Sequence, residues 1–147
     1  MVFYDNHGRP TAYTEDDIHI YLFTGEPVAY LDRDAVYGFN GHQFGWFENG
    51  WIRDLDGYCV FFTENATGLG PIKPVKHVCP VKCVKRVKPV KHIKRVRRIK
   101  AVKKLNWSQL SGVVFLHSRS MKGGEAYEGT KKEHLDCGNN PSVQCGI

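Results

Sequence analysis

No acidic residue lies between residues 67 and 107, although 14 lysines and arginines do. No aromatic lies between Phe62 and Trp107, while 15 of the chain's 18 aromatics come before Asn65. That tract therefore cannot build a core by itself. No apolar run approaches the roughly 18 residues of a membrane-spanning helix, and "MVFYDNHGRP" has no apolar core of a secretion signal. The expectation is a cytoplasmic protein, with a peripheral position at the inner membrane as its extension. The five cysteines are odd in number and show no spacing of a disulfide framework. There is no P-loop, no GxSxG, no HExxH and no paired CxxC, so no enzyme is expected. No cofactor is implied.

The net charge of +6 hides three blocks. Residues 1–66 carry 11 acids and only three bases, Arg9, Arg33 and Arg53, a net −8. Residues 67–107 carry +14, and residues 108–147 balance four bases against four acids. Blocks this sharp point to separate physical tasks. The expected division is a domain at 1–68, a basic tract at 69–107, and at 108–147 a short apolar segment followed by a polar, disordered tail.

The acidic block is one unit written four times: "FYDNHGRPTAYTEDD", "IYLFTGEPVAYLDRD", "VYGFNGHQFGWFENG" and "IRDLDGYCVFFTENA". Each unit places a glycine (Gly8, Gly25, Gly41, Gly57) five residues before an aromatic (Tyr13, Tyr30, Trp46, Phe62). The glycines are 17, 16 and 16 residues apart. Asn40-Gly41 and Asp56-Gly57 read as two-residue hairpin turns with positive φ at both positions. Second turns follow at Asp16-Asp17, Asp32-Arg33, Glu48-Asn49-Gly50 and Glu64-Asn65. Eight strands of about four or five residues are implied, closing on one another as a shallow bowl or barrel that shields its edges.

Alternation within a strand puts Tyr13, Tyr30, Trp46 and Phe62 on one face with Thr11, Val28, Phe44 and Val60. It puts Ala12, Ala29, Gly45 and Phe61 on the other. A further ring holds Tyr4, Tyr21, Tyr37 and, in the fourth unit, Arg53. If that ring faces the bowl, Arg53 is a lone cation among aromatics, suited to cation–π contact or to an anion; otherwise it is a solvent-facing arginine over a strand.

The phased G-x-P-x-A-Y pattern (Gly8 to Tyr13, Gly25 to Tyr30) and its variant from Gly41 to Trp46 resemble the bacterial 4-fold β-flower family. The resemblance continues through a Lys/Pro-rich triplet tract to "LNWSQL", about residues 2–110. It implies a pseudo-symmetric all-β fold and supplies no chemistry.

In the tract, apolar residues stand at every third position from Ile72 through Val75, Val78, Val81, Val84, Val87, Val90, Ile93, Val96, Ile99 and Val102 to Leu105. An α-helix would spiral them round its surface, and a strand would alternate them. A threefold geometry keeps them in one stripe, and Pro74, Pro80 and Pro89 favour polyproline II over a long 3₁₀ helix. After Pro89 an α-helix without a clean apolar face is the other reading. An extended tract would reach about 100 Å, so it must project, fold back or wrap. It would carry a Val/Ile edge, a Lys/Arg edge and a mixed edge.

The candidate anion-binding residues are Lys73, Lys76, Lys82, Lys85, Arg86, Lys88, Lys91, Lys94, Arg95, Arg97, Arg98, Lys100, Lys103 and Lys104. Their partner is expected to be an anionic lipid surface. Nucleic acid is the alternative, weakened because single-strand binders add stacking aromatics. Self-association, or folding back on the acidic domain, is the third. His77, Cys79 and Cys83 in "HVCPVKC" would splay apart in an extended chain amid cations, so no metal site is expected. The expected function is a non-enzymatic binding or adaptor module. Trp107 and "SGVVFLHS" are expected to anchor the tract's far end on the β domain, as a short strand or a helix end.

Overall fold

The computed structural model describes residues 1–117. The expected disorder of residues 118–147, and Cys137 and Cys145, lie outside the described residues.

Eight strands form a closed antiparallel barrel in chain order. They are β1 (Val2–Tyr4), β2 (Pro10–Thr14), β3 (His19–Leu22), β4 (Pro27–Asp32), β5 (Ala35–Tyr37), β6 (Gln43–Glu48), β7 (Trp51–Asp54) and β8 (Cys59–Phe62). β1 meets β8 through Tyr4 and Phe62, so no strand edge is left open. Up-and-down order puts the four glycine turns at one end and the acidic turns at the other.

The glycine turns differ in detail from the two-residue type. Gly8, Gly25, Gly41 and Gly57 have φ of 81°, 96°, 89° and 94°, whereas Asn40 and Asp56 do not have positive φ. Gly41 N–H donates to the Gly38 carbonyl at 3.0 Å and Gly38 N–H to the His42 carbonyl at 2.9 Å, a wider turn that needs only one left-handed residue.

A bulge follows each of these turns. Phe3 pairs with Ala12 but Tyr4 with Pro10, and the same slip recurs at Ile20/Tyr21, Val36/Tyr37 and Ile52/Arg53. The extra residue is Thr11, Val28, Phe44 or Val60. This corrects the alternation expected above. Val28, Phe44 and Val60 join Ala12, Ala29 and Phe61 in the interior core, because the bulge re-aims one side chain in each unit. Phe3, Ile20, Val36 and Ile52, each 0–1 % exposed, complete that core.

The chain after the tract forms a helix, α1 (Gly112–His117), which inserts at the glycine-turn end. Ser111 caps it, its hydroxyl accepting from Val114 N–H at 3.2 Å. Phe115 packs edge-on against Phe44 and Phe61 with ring centroids 5.8 and 6.1 Å away. Gly112 lies against the Phe61 ring where a Cβ would clash. His117 Nε2 is 3.3 Å from Glu26 Oε2 and fixes the last turn.

Candidate surface-binding site: a basic strap round the barrel

The outer wall is aromatic. Tyr4, Tyr13, Tyr21, Phe23, Trp51 and Phe62 form one buried cluster, and Tyr30, Tyr37, Phe39 and Trp46 another. Tyr13 and Tyr21 stack at 6.0 Å, as do Tyr30 and Tyr37. Burial pushes the phenols of Tyr4, Tyr13 and Tyr30 up. What covers this wall is the basic tract.

The tract has no regular hydrogen-bonded structure of its own, so its backbone groups must pair elsewhere. His77, Arg86, Arg95 and Lys104 donate their N–H groups to the carbonyls of Gly8, Gly25, Gly41 and Gly57 at 2.9, 2.9, 2.8 and 3.1 Å. Cys83 and His92 donate to Phe23 and Phe39, both at 2.9 Å. The donors to the glycines stand nine residues apart, so three triplets span one barrel unit. The glycines are needed for contact as well as for φ: a Cβ on any of them would overlap the carbonyl of Val75, Val84, Ile93 or Val102. The tract is thus a strap that passes over all four turns.

This register sorts the three edges. The mixed edge (His77, Cys83, Arg86, His92, Arg95, Lys104) carries the N–H groups that face the turns. The basic edge lies along the aromatic wall. Lys76 sits 5.6 Å from the Tyr4 ring centroid, Lys82 4.6 Å from Tyr13, and Lys85 5.5 Å from Tyr21. Lys91 is 4.4 Å from Tyr30, Lys94 5.9 Å from Tyr37, and Lys100 5.4 Å from Trp46. Lys104, from the mixed edge, covers Tyr58 at 4.6 Å.

Several of these ammonium groups reach on to the acidic turns. Lys82 and Lys85 pair with Glu15. Lys94 and Arg97 pair with Asp32 at 2.9 and 3.4 Å, and Arg97 with Asp34 at 2.8 Å. Lys100 pairs with Asp34 at 2.6 Å and with Glu48, and Lys103 with Glu48 at 3.6 Å. Lys73 Nζ donates to the Ala66 carbonyl at 2.8 Å. The basic tract thus meets the acidic domain within one chain. At surface exposure each ion pair contributes at most about 1 kcal/mol, and each cation–π contact about 0.5–1 kcal/mol. Their number and common register hold the strap.

The lysine hydrogen bonds hold the carboxyls of Glu15, Asp32, Asp34 and Glu48 below their ordinary values of 4.5, 3.8, 3.8 and 4.5. A lowered folded-state pKa gives stability that is present above the unfolded value and lost as pH falls through the folded one. We therefore expect thermal midpoints to hold from neutral pH to about 5 and to fall steadily toward pH 3. A midpoint that stays flat across that interval would mean that the pairs do not hold the strap.

Arg53 is where the ring closes. It is 3 % exposed and lies on the outer wall with Tyr4, Tyr21 and Tyr37, not in the barrel's interior. This corrects the bowl-site expectation for these four residues: register puts the ring opposite the interior core, and the strap lies over it. Arg53 Nη1 donates to the Gly57 and Lys104 carbonyls, both at 2.8 Å, and Nη2 donates to the Leu69 carbonyl. One guanidinium therefore ties the strap's first residues to its last. A tyrosine there would take the guanidinium donors from the Leu69 and Lys104 carbonyls, while Gly57 would keep the Lys104 N–H.

Beyond Arg53, Trp107 packs against Trp51 at 6.0 Å and bridges to Cys59. Cys59 is fully buried, and burial pushes its thiol up to about 11, which makes it inert. Cys79 fills a basic-edge position and is 3 % exposed. Cys79 and Cys83 are both disulfide-bonded, contrary to the expectation of no disulfide framework. Pairing depends on which Cβ atoms the fold brings together, which spacing alone does not reveal. Among the described residues no group of three His, Cys, Asp or Glu is arranged to hold a metal.

Four hairpin units in one closed barrel, wrapped by the triplet tract and plugged by α1, are matched by one family model, the 4-fold beta flower protein, over residues 1–116. The chain belongs to the 4-fold beta flower family. No curated protein and no solved structure matches it. In this beta flower the family match takes in strap and plug as well as barrel. The strap's third edge, the apolar one, is exposed over most of its length. Ile93 and Ile99 are each 93 % exposed and Val87 is 92 % exposed. Lys88, Arg95 and Arg98 lie beside them with no acidic partner among the described residues.

Proposed function

We propose that the protein is a non-enzymatic binding module that docks on an anionic phospholipid surface through the outer edge of its strap. The observation that carries this reading is the exposed aliphatic edge with unpaired bases beside it. Water-facing valines and isoleucines at every third position are not required for solubility, and a contiguous apolar surface of this kind marks an interaction site. Because the strap touches the same point of all four units, its aliphatic side chains recur around the barrel. The bases would attract the anionic surface, each contributing about 1 kcal/mol near it. The aliphatic groups would then sit at the headgroup boundary. Among the described residues no helix is long and apolar enough to cross a membrane.

Co-sedimentation with phosphatidylcholine vesicles, with and without phosphatidylglycerol, tests the reading. We expect binding only to the anionic vesicles. Binding should weaken at least about tenfold in V87N/I93N/I99N, since three aliphatic contacts are removed from side chains that pack on nothing in the fold. Equal binding to neutral vesicles, no binding at all, or an unaffected triple variant would defeat it. The same assay with reductant addresses the side of the membrane. Retained binding fits the inner leaflet that the sequence favours, and loss of binding fits an oxidising compartment, where the disulfides at Cys79 and Cys83 persist.

A further inference from the structure

The four glycine turns are equivalent in backbone and unequal in charge. In the first, Asp5 accepts from the N–H groups of His7 and Arg9, both at 2.9 Å, and pairs with the Arg9 side chain at 3.1 Å. In the second, Arg86 of the strap lies near Glu26 and helps hold that carboxyl down, after the hydrogen bond from His117. In the fourth, Asp54 accepts from the N–H groups of Asp56 and Tyr58, both at 3.0 Å, and Lys104 lies over Tyr58. The third turn differs. Gly38 stands where the first and fourth units have aspartate, and His42 where the second has glutamate. Asn40 replaces the carboxylate cap, accepting from His42 N–H at 3.0 Å.

The strap places two arginines on this turn. Arg95 and Arg98, one triplet apart, line a cavity of about 440 Å³ with His42, Gln43 and Val96. Among the described residues no carboxylate lines it. Where Arg98 stands, the preceding two units of the strap have Pro80 and Pro89. The backbone under both arginines is fixed. Arg95 N–H donates to the Gly41 carbonyl at 2.8 Å, and the Arg95 carbonyl accepts from the Tyr37 hydroxyl at 3.0 Å. Arg98 N–H donates to Gln43 Oε1 at 2.8 Å, while Gln43 Nε2 donates to the Gly45 carbonyl at 3.0 Å. Gln43 is only 5 % exposed, so it is a buried strut for the arginine above it. The arginine side chains are left to face solvent.

We propose that this cavity binds a phosphate monoester group. Two guanidiniums offer planar, forked donors matched to phosphate oxygens. Charge alone would be a solvated patch. Here the turn's own sequence replaces the acids found in the other three turns, and the donors stand on a rigid base, which lowers the cost of ordering them on a ligand. The cavity exceeds a bare phosphate, leaving room for the group that carries it. That group is a small soluble molecule or a lipid headgroup, and the phosphate chemistry is common to both.

The test uses the full chain and inorganic phosphate, without any membrane, so failure here is distinct from failure of the lipid reading. Amide and side-chain NMR signals are followed during titration at constant chloride. We expect saturable shifts at His42, Arg95 and Arg98. Affinity should fall at least about tenfold in R95Q/R98Q, since charge-assisted contacts are removed. It should be unchanged in Arg33→Gln at the opposite end of the barrel. The paired lysine variant, R95K/R98K, keeps the charge and should bind at an intermediate level. It stands in if the glutamine variant loses its native amide fingerprint. Non-saturating shifts, or equal affinity in both double variants and the native chain, would overturn the site. With phosphatidic acid vesicles, inhibition of binding by free phosphate would assign the site to a headgroup. Binding that phosphate does not inhibit would assign it to a soluble ester.

Discussion

Replacing Arg53 with alanine should lower the thermal midpoint by about 10–20 °C. The side chain is 3 % exposed and serves three carbonyls, those of Gly57, Leu69 and Lys104. Removing it leaves the Leu69 and Lys104 carbonyls short of a donor, at about 1–3 kcal/mol each before water relieves them, while Gly57 keeps the Lys104 N–H. A net loss of about 3–5 kcal/mol follows. The variant should also loosen the strap where Leu69 and Lys104 share this guanidinium. Differential scanning calorimetry with limited trypsin digestion would show both effects. A midpoint within a few degrees of the native one would mean that the two ends are held independently of the guanidinium.

Gly25→Val should be nearly as damaging, for a different reason. Its φ of 96° is one that a branched residue scarcely adopts, and its Cβ would overlap the Val84 carbonyl oxygen. The strap must lift, with the Arg86 bond to Gly25 and the Cys83 bond to Phe23 at stake. About 2–4 kcal/mol should be lost, and tryptic cleavage within the strap should quicken at least about tenfold. Gly68→Ala is the internal control. Gly68 has φ 83°, but the nearest atom to an added Cβ is 3.9 Å away, so only conformational strain of about 1 kcal/mol is expected. Equal cleavage rates in the two variants would show that the strap is not seated on the turn.

Much of this architecture is legible in the sequence alone. Sixteen-residue spacing of glycine and aromatic announces four hairpins, and triplet phasing announces an extended tract. What periodicity does not give is direction. A bulge of one residue after each turn reverses the face of Val28, Phe44 and Val60, and nothing in their side chains marks it. Arg53 looks like an intruder in an aromatic ring until the carbonyls around it are seen. The tract holds a longer period that triplet counting passes over. "PVKHVCPVK", "CVKRVKPVK" and "HIKRVRRIK" are nine-residue units, and Pro80 and Pro89 stand one unit apart. Matching nine residues of tract to sixteen of barrel would have placed the basic edge on the aromatic wall. The third turn's cavity was hidden for a related reason. It depends on which strap residue lies over which turn, and that correspondence exists only once the chain is wrapped.

A belt with nearly identical notches could be fastened one notch too far. Slippage by nine residues would still set lysines over tyrosines and N–H groups on glycine carbonyls, so the repetition that makes wrapping easy also makes misthreading cheap. The exceptions to the repeat remove that degeneracy. Cys79 in a lysine place, Trp107 against Trp51, and the solitary Arg53 each suit one alignment alone. A chain that erased them would keep its barrel and trade one fastened state for several.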